Sequence, residues 1–150
     1  MTGPRDDATG EGLVEFLELM RTMRERCAWK GSQTHRTLAP FLAEESAEVM
    51  EAIEEGDATG DWAHLAEELG DLLLQIYFHA AIAEAAGEFT MDDVVRGLTE
   101  KMLRRNPHVF GPEAQEDWQR GRRYTLDEVE ELWQAAKAAE KGPGRDDRRS

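Results

Sequence analysis

Cysteine is almost missing from this chain: Cys27 is the only one among 150 residues. A single thiol closes no internal disulfide, which suits a reducing compartment, so the expected location is the cytoplasm. It also rules out a metal centre built from several thiolates. Long apolar runs are lacking as well. No stretch reaches the ~18 uninterrupted apolar residues of a membrane span, and Met1-Thr2-Gly3-Pro4-Arg5-Asp6-Asp7 lacks the apolar run of a signal peptide. Residues 37–95 contain no Lys or Arg, yet hold 15 Asp and Glu. Elsewhere 18 bases face 17 acids, so the net charge of -14 is almost wholly the property of this acidic centre. Such a surface repels DNA, RNA and anionic lipid, and neither a nucleic acid nor a membrane is an expected partner.

What the chain has in quantity is helical periodicity, with no convincing strand and no internal repeat. Leu13, Phe16, Leu17, Met20 and Met23 predict a helix over 12–25. Residues 26–37 have no period and read as a loop. Thr37 suits an N-cap and Pro40 a first turn, so a second helix is expected over 38–55, stopped by Gly56. A turn at 57–60 and a cap at Asp61 lead into a third helix reaching Ala86 and ended by Gly87. A fourth starts at Thr90, carries Val94, Val95, Leu98 and Met102, and stops near Asn106-Pro107. Leu126, Val129, Leu132 and Trp133 form one more helical pattern. The expected architecture is all-α, a bundle of about four helices with short connections. The expected organisation is a flexible N-terminus at 1–11, a helical domain at 12–111, a helical extension at 112–140 and a disordered tail at 141–150.

The second helix carries Glu44, Glu48, Glu51 and Glu55 as one stripe, with Glu45 on the border of the apolar face formed by Leu42, Val49 and Ile53. Taken alone, an acidic stripe is a solvated face. The third helix changes that reading. Leu65, Leu69, Leu72, Leu73 and Ile76 form one apolar face, and Leu74, Tyr77 and Phe78 a second. Glu68, Asp71 and Gln75 occupy the narrow strip between them. Carboxylates on a helix buried over most of its circumference, with no base within the segment, must be protonated or must hold a cation. Glu45-x-x-Glu48 and Glu68-x-x-Asp71 each place two carboxylates on one side of a helix, and the turn at 57–60 makes the two helices antiparallel neighbours. Oxygen donors without Cys or His favour Mg²⁺ or Mn²⁺ over zinc. Di-iron bundles use Glu-x-x-His; the nearest match is Asp61-x-x-His64, so that chemistry is not expected.

These residues carry a resemblance. Glu44-Glu45-Ser46-Ala47-Glu48, followed after 19 residues by Glu68-Leu69-Gly70-Asp71, resembles the EExxE and ExxD signature of the MazG nucleotide pyrophosphohydrolases. Cys27-Ala28-Trp29 with Gln33-Thr34-His35 is similar to the family's CPW and QTH loop, with Ala28 in place of Pro and Lys30 where an acid is usual. Residues 67–75 resemble its ELGDLLFQ segment, and residues 101–111 its KLxRRHPHVFG stretch. The likeness covers residues 13–111, as a single MazG module, with a weaker echo at 133–141.

The resemblance implies Mg²⁺-dependent hydrolysis of a nucleoside triphosphate to the monophosphate and pyrophosphate. In that frame Glu45, Glu48, Glu68 and Asp71 hold the metal. Glu44 either orients or deprotonates the attacking water, or is a solvated helix residue. Lys101 and Arg105 share a face of the fourth helix; the family likeness favours phosphate contacts over an ordinary charged helix end. Trp29 and Trp133 either stack on the base or ribose, or pack against the bundle. Cover for Leu74, Tyr77 and Phe78 calls for a homodimer, which the likeness also implies. Two alternatives stay open. One is a pyrophosphatase specific for dUTP or dCTP; the other is a non-catalytic dimeric helical module whose acidic face binds a basic partner.

Overall fold

The computed structural model describes residues 10–142, and every regular element among them is a helix. The terminal parts of the expected flexible N-terminus and disordered tail, residues 1–9 and 143–150, lie outside the described residues. The chain forms two compact units, residues 1–91 and 92–150. No helix among the described residues is long and apolar enough to cross a membrane.

In the first unit, α1 (Glu11–Arg26) is followed by a short α2 (Ala28–Ser32) inside the segment read as a loop. One helical turn is too brief to show a period, which is why the sequence pattern missed it. The long α3 (His35–Thr59) and α4 (Ala63–Ala85) form an antiparallel hairpin that supplies most of the unit's helix packing. The N-cap of α3 is Thr34, three residues earlier than expected. Its hydroxyl accepts from the Thr37 amide at 3.2 Å, while the Thr37 hydroxyl accepts from the Thr34 amide at 2.9 Å. Thr37 thus belongs to the capping box as its far member. Pro40 consequently lies beyond the first turn and deprives the carbonyl of Arg36 of its helical donor.

Gly56 does not stop α3. It is buried within the helix, and a Cβ there would overlap the indole of Trp62. The stop is Gly60, whose φ of 77° is a left-handed conformation that glycine adopts without strain.

The core of this unit joins Met20 of α1, Leu38 of α3, and Tyr77, Phe78 and Ala81 of α4, with Phe16, Leu17, Met23 and Leu74 packed around them. Tyr77 reaches across to donate to the Leu13 carbonyl at 3.0 Å. Arg21 clamps Glu84, with Nε and Nη2 at 2.8 and 2.5 Å from its two oxygens. The face that sequence reasoning left uncovered, Leu74, Tyr77 and Phe78, is therefore the one α1 covers. The opposite positions Leu69, Leu73 and Ile76 are the open ones, at 48, 36 and 41% exposure. An apolar pattern on both sides of α4 does not say which side the chain itself fills.

In the second unit, α5 (Met91–Arg105) is followed by α6 (Pro107–Phe110), α7 (Ala114–Gln119) and α8 (Leu126–Lys141). A second capping box starts α8. The Thr125 hydroxyl accepts from the Glu128 amide at 3.2 Å, and the Glu128 carboxylate from the Thr125 amide at 2.7 Å. The far end of α8 is tied to α5 through Glu140, which accepts from both Arg104 and Arg105.

Candidate functional site

The α3–α4 hairpin brings the spaced carboxylates together. Glu45 and Glu48 stand one turn apart on α3, facing Glu68 of α4, and one oxygen from each lies within 4.8 Å of the others. Glu68 is only 9% exposed. Glu45 Oε2 and Glu68 Oε2 are both buried and have no hydrogen-bond partner. Burial is the main force holding the Glu45 carboxyl above the usual carboxylate range; hydrogen bonding to Glu48 and the charges of Glu48, Asp71 and Glu68 add to it.

Three converging carboxylates with two unpartnered buried oxygens form an unfinished arrangement. A divalent cation would suit it, because it would supply the positive charge and accept the idle lone pairs. The donor set is all oxygen, which fits a hard ion such as Mg²⁺ or Mn²⁺. Asp71 follows Glu68 by one turn. It stands outside the 4.8 Å group and is exposed, though its charge reaches Glu45.

One neighbour escaped the sequence reading. His64 places Nε2 at 2.9 Å from Glu68 Oε1 and Nδ1 at 2.7 Å from Glu55 Oε2. Glu55 chiefly, and then Glu68, hold the imidazole pKa above its usual value. The signal for it was present: His64 precedes Glu68 by four residues and so shares its helix face. In sequence, His64 stands out only through Asp61-x-x-His64, the nearest match to a di-iron pattern.

The remaining candidates divide between the two units. Glu44 is exposed on α3. Trp29 on α2 is half exposed and stands edge-on to Phe41 and Phe78, with ring centres 5.9 and 6.4 Å away, while Lys30 lies 5.7 Å above its ring. His35, of the Gln33-Thr34-His35 segment, stacks on His79 with 2.7 Å between the two Nδ1 atoms, so one ring donates to the other. In the second unit Lys101 is exposed on α5. Arg105 is largely enclosed: its guanidinium lies 5.3 Å from the Trp133 ring centre and 2.9 Å from Glu140 Oε2. Arg105, and then Arg104, draw the Glu140 carboxyl down to about 2.

Residues 33–110 match the family model of the MazG nucleotide pyrophosphohydrolase domain. The chain belongs to the MazG family. It is 42% identical over 132 residues to the nucleoside triphosphate pyrophosphohydrolase/pyrophosphatase MazG of Thermotoga maritima, a match covering 88% of this chain and 45% of that protein. It is 39% identical over 138 residues to the nucleoside triphosphate pyrophosphohydrolase of Mycobacterium tuberculosis, covering 91% and 38%. With the Escherichia coli K12 protein of the same name the identity is 37% over 105 residues, covering 70% and 38%. The chain thus spans less than half the length of these MazG relatives. The crystal structure of a MazG-related protein from Thermotoga maritima is similar in fold. Its TM-score is 0.66 and its identity 28%, with 83% of this chain and 98% of that one covered.

Proposed function

We propose that this chain is a nucleoside triphosphate pyrophosphohydrolase, cleaving an NTP or dNTP with water into the monophosphate and pyrophosphate. The observation that carries the reading is the α3–α4 carboxylate group, with its two buried oxygens that lack partners. Membership of a family whose named relatives bear that activity supports it.

Glu45, Glu48 and Glu68, with Asp71 beside them, would hold Mg²⁺, or Mn²⁺ in its place. The bound ion supplies Lewis-acid polarisation of phosphoryl oxygens and a bound water of lowered pKa. The protein's own contribution is positional. His64 fixes the Glu68 carboxylate by a hydrogen bond whose other side is anchored on Glu55. Glu44 orients the attacking water and takes its proton. Water attacks the α-phosphorus, the bond to the bridging oxygen of the β-phosphate breaks, and pyrophosphate departs with that electron pair. Lys101 and Arg105 would neutralise the phosphates, Arg105 exchanging Glu140 for phosphate, and Trp29 and Trp133 would offer their rings to the base.

The protein acts as a homodimer, joined through the open face of α4 at Leu69, Leu73 and Ile76, and works in the cytoplasm. The catalytic module is residues 12–111, and 112–140 is an extension that supplies Trp133. Light scattering at micromolar concentration checks the dimer; a monomer rejects it. Pyrophosphate release is measured over a panel of canonical and damaged nucleoside triphosphates, with and without Mg²⁺. Release that depends on Mg²⁺ supports the enzyme. A folded, metal-supplied protein inert on the whole panel rejects it, and activity confined to dUTP or dCTP selects the narrower specificity.

A further inference from the structure

The second unit contains a cleft of about 460 Å³ that the proposed reaction does not use, lying between α6, α7, α8 and the connection before α8. Its size falls in the range of small-molecule sites, and its floor includes the apolar Ala114 and Val129. Three features of its wall call for a ligand. Trp118 is 63% exposed, with the guanidinium of Arg123 at 3.7 Å from its ring centre, so a cation stands over an indole that remains largely open. Arg123 Nη1 donates only to the carbonyls of Trp118 and Arg122, and the residue joins no ion pair among the described residues. His108 Nδ1 is buried and has no hydrogen-bond partner.

The neighbouring groups are occupied, and that narrows the assignment. Arg122 lies 4.4 Å from the Tyr124 ring centre and 3.6 Å from Asp117 Oδ2, which also accepts from the Tyr124 hydroxyl at 3.1 Å. Tyr124 is thereby fixed, with the His108 ring tilted against it at 5.5 Å. The cleft thus has a rigid side and an unfinished side. The unfinished side offers an exposed indole, a guanidinium in no ion pair among the described residues and, beneath the surface, an imidazole nitrogen without a partner. A flat, polar-edged ring bearing an anionic group completes all three at once. A single nucleic-acid strand fits less well, because residues 92–150 hold 12 Lys and Arg against 13 Asp and Glu and make no continuous basic track.

We propose that this cleft binds a nucleoside monophosphate, with the base against Trp118 and His108 and the phosphate on Arg123. The proposal rests on these groups and stands whether or not the chain hydrolyses triphosphates.

The test is calorimetric titration of the full chain with AMP in EDTA, where metal-dependent turnover is absent, with inorganic pyrophosphate as a second ligand. AMP should bind, pyrophosphate should bind less tightly, and Arg123→Gln and Trp118→Leu should each weaken AMP about tenfold or more. Glu54→Gln, at an exposed position of α3 outside both sites, should leave AMP binding unchanged. Arg123 is exposed and joins no ion pair among the described residues, so Arg123→Gln remains informative even if Trp118→Leu fails to fold by circular dichroism. The proposal is overturned by absence of AMP binding at millimolar concentration, or by unaltered binding in Arg123→Gln. Loss of binding in Lys101→Gln overturns it too, by assigning the nucleotide to α5. Pyrophosphate binding as tight as AMP also overturns it, since the base would then contribute nothing.

Discussion

Two glutamates of this chain are moved in opposite directions by their surroundings. Glu45 is pushed up by burial and by three other acids, while Glu140 is drawn down to about 2 by two guanidiniums. The two units differ in the same way. Residues 1–91 hold 19 Asp and Glu against 6 Lys and Arg; residues 92–150 hold 13 against 12. A carboxylate supplied with bases is complete as folded. One deprived of them keeps a standing demand for positive charge, and in the first unit that demand is concentrated at Glu45, Glu48 and Glu68. The acidity of the chain is therefore two different things in two places: a cluster of carboxylates that could hold a cation in one unit, ordinary ion pairing in the other.

The sharpest way to break this contrast is to remove one member of the cluster and compare it with an acid outside it. Glu48→Ala should lower Mg²⁺-dependent pyrophosphate release about a hundredfold or more, because the ion carries several kcal/mol of transition-state stabilisation. Glu54→Ala, at an exposed position of the same helix, should leave the rate near that of the parent. Equal losses in both variants, or equal indifference, would reduce the cluster to a generic acidic face.

Next in size is the link through His64. His64→Ala should weaken Mn²⁺ binding about 10–100-fold, read directly by calorimetry, because the imidazole that orients Glu68 is lost. Helix content should not change. A metal affinity equal to that of the parent would make the Glu55–His64–Glu68 contact a surface ion pair and nothing more.

Much of this was legible in residue spacing, and the rest has identifiable physical reasons. The helical period shows the all-helical fold, and of the four carboxylates marked by Glu45-x-x-Glu48 and Glu68-x-x-Asp71, Glu45, Glu48 and Glu68 lie together while Asp71 stands outside the group. Spacing does not tell which neighbour a side chain will find. Gly56 looked like a stop because its partner, the Trp62 indole, becomes visible only when the hairpin closes. Thr37 reads as the N-cap of α3 rather than Thr34 because Thr34-x-x-Thr37 lacks the Glu or Gln that usually marks the far member of a capping box. The short α2 and α7 are below the length at which a period can be seen. Arg105 and Glu140 are 35 residues apart, and nothing in either local pattern announces the pair.

The Gly56 contact gives a stability test with a sign rather than a size. In an exposed helix, replacing Gly by Ala stabilises by about 0.5–1 kcal/mol. Gly70→Ala should behave so, since a Cβ there meets nothing within 4 Å. Gly56→Ala should instead destabilise by about 1–3 kcal/mol in urea unfolding, because the new methyl collides with Trp62. If both substitutions stabilise, Trp62 does not seat against α3 in solution.

The smallest effect tests the second unit's side of the contrast. The Glu140 carboxyl is lowered from about 4.5 to about 2 by Arg105 first and Arg104 second. A lowered acid favours the folded state where it is ionised in both states, so this contribution is fully present above pH 4.5. It is lost as the pH falls from there through about 2, where the folded protein must also take up the proton. Glu140→Gln removes the titrating group and keeps the shape. Its melting temperature should lie slightly below that of the parent at pH 6, and the gap should shrink steadily between pH 4.5 and 2. Comparing the two proteins cancels the many other acids that titrate in that window. A gap that stays constant with pH would mean that Glu140 holds α8 to α5 by shape and hydrogen bonding alone, and that the ion pair contributes nothing of its own.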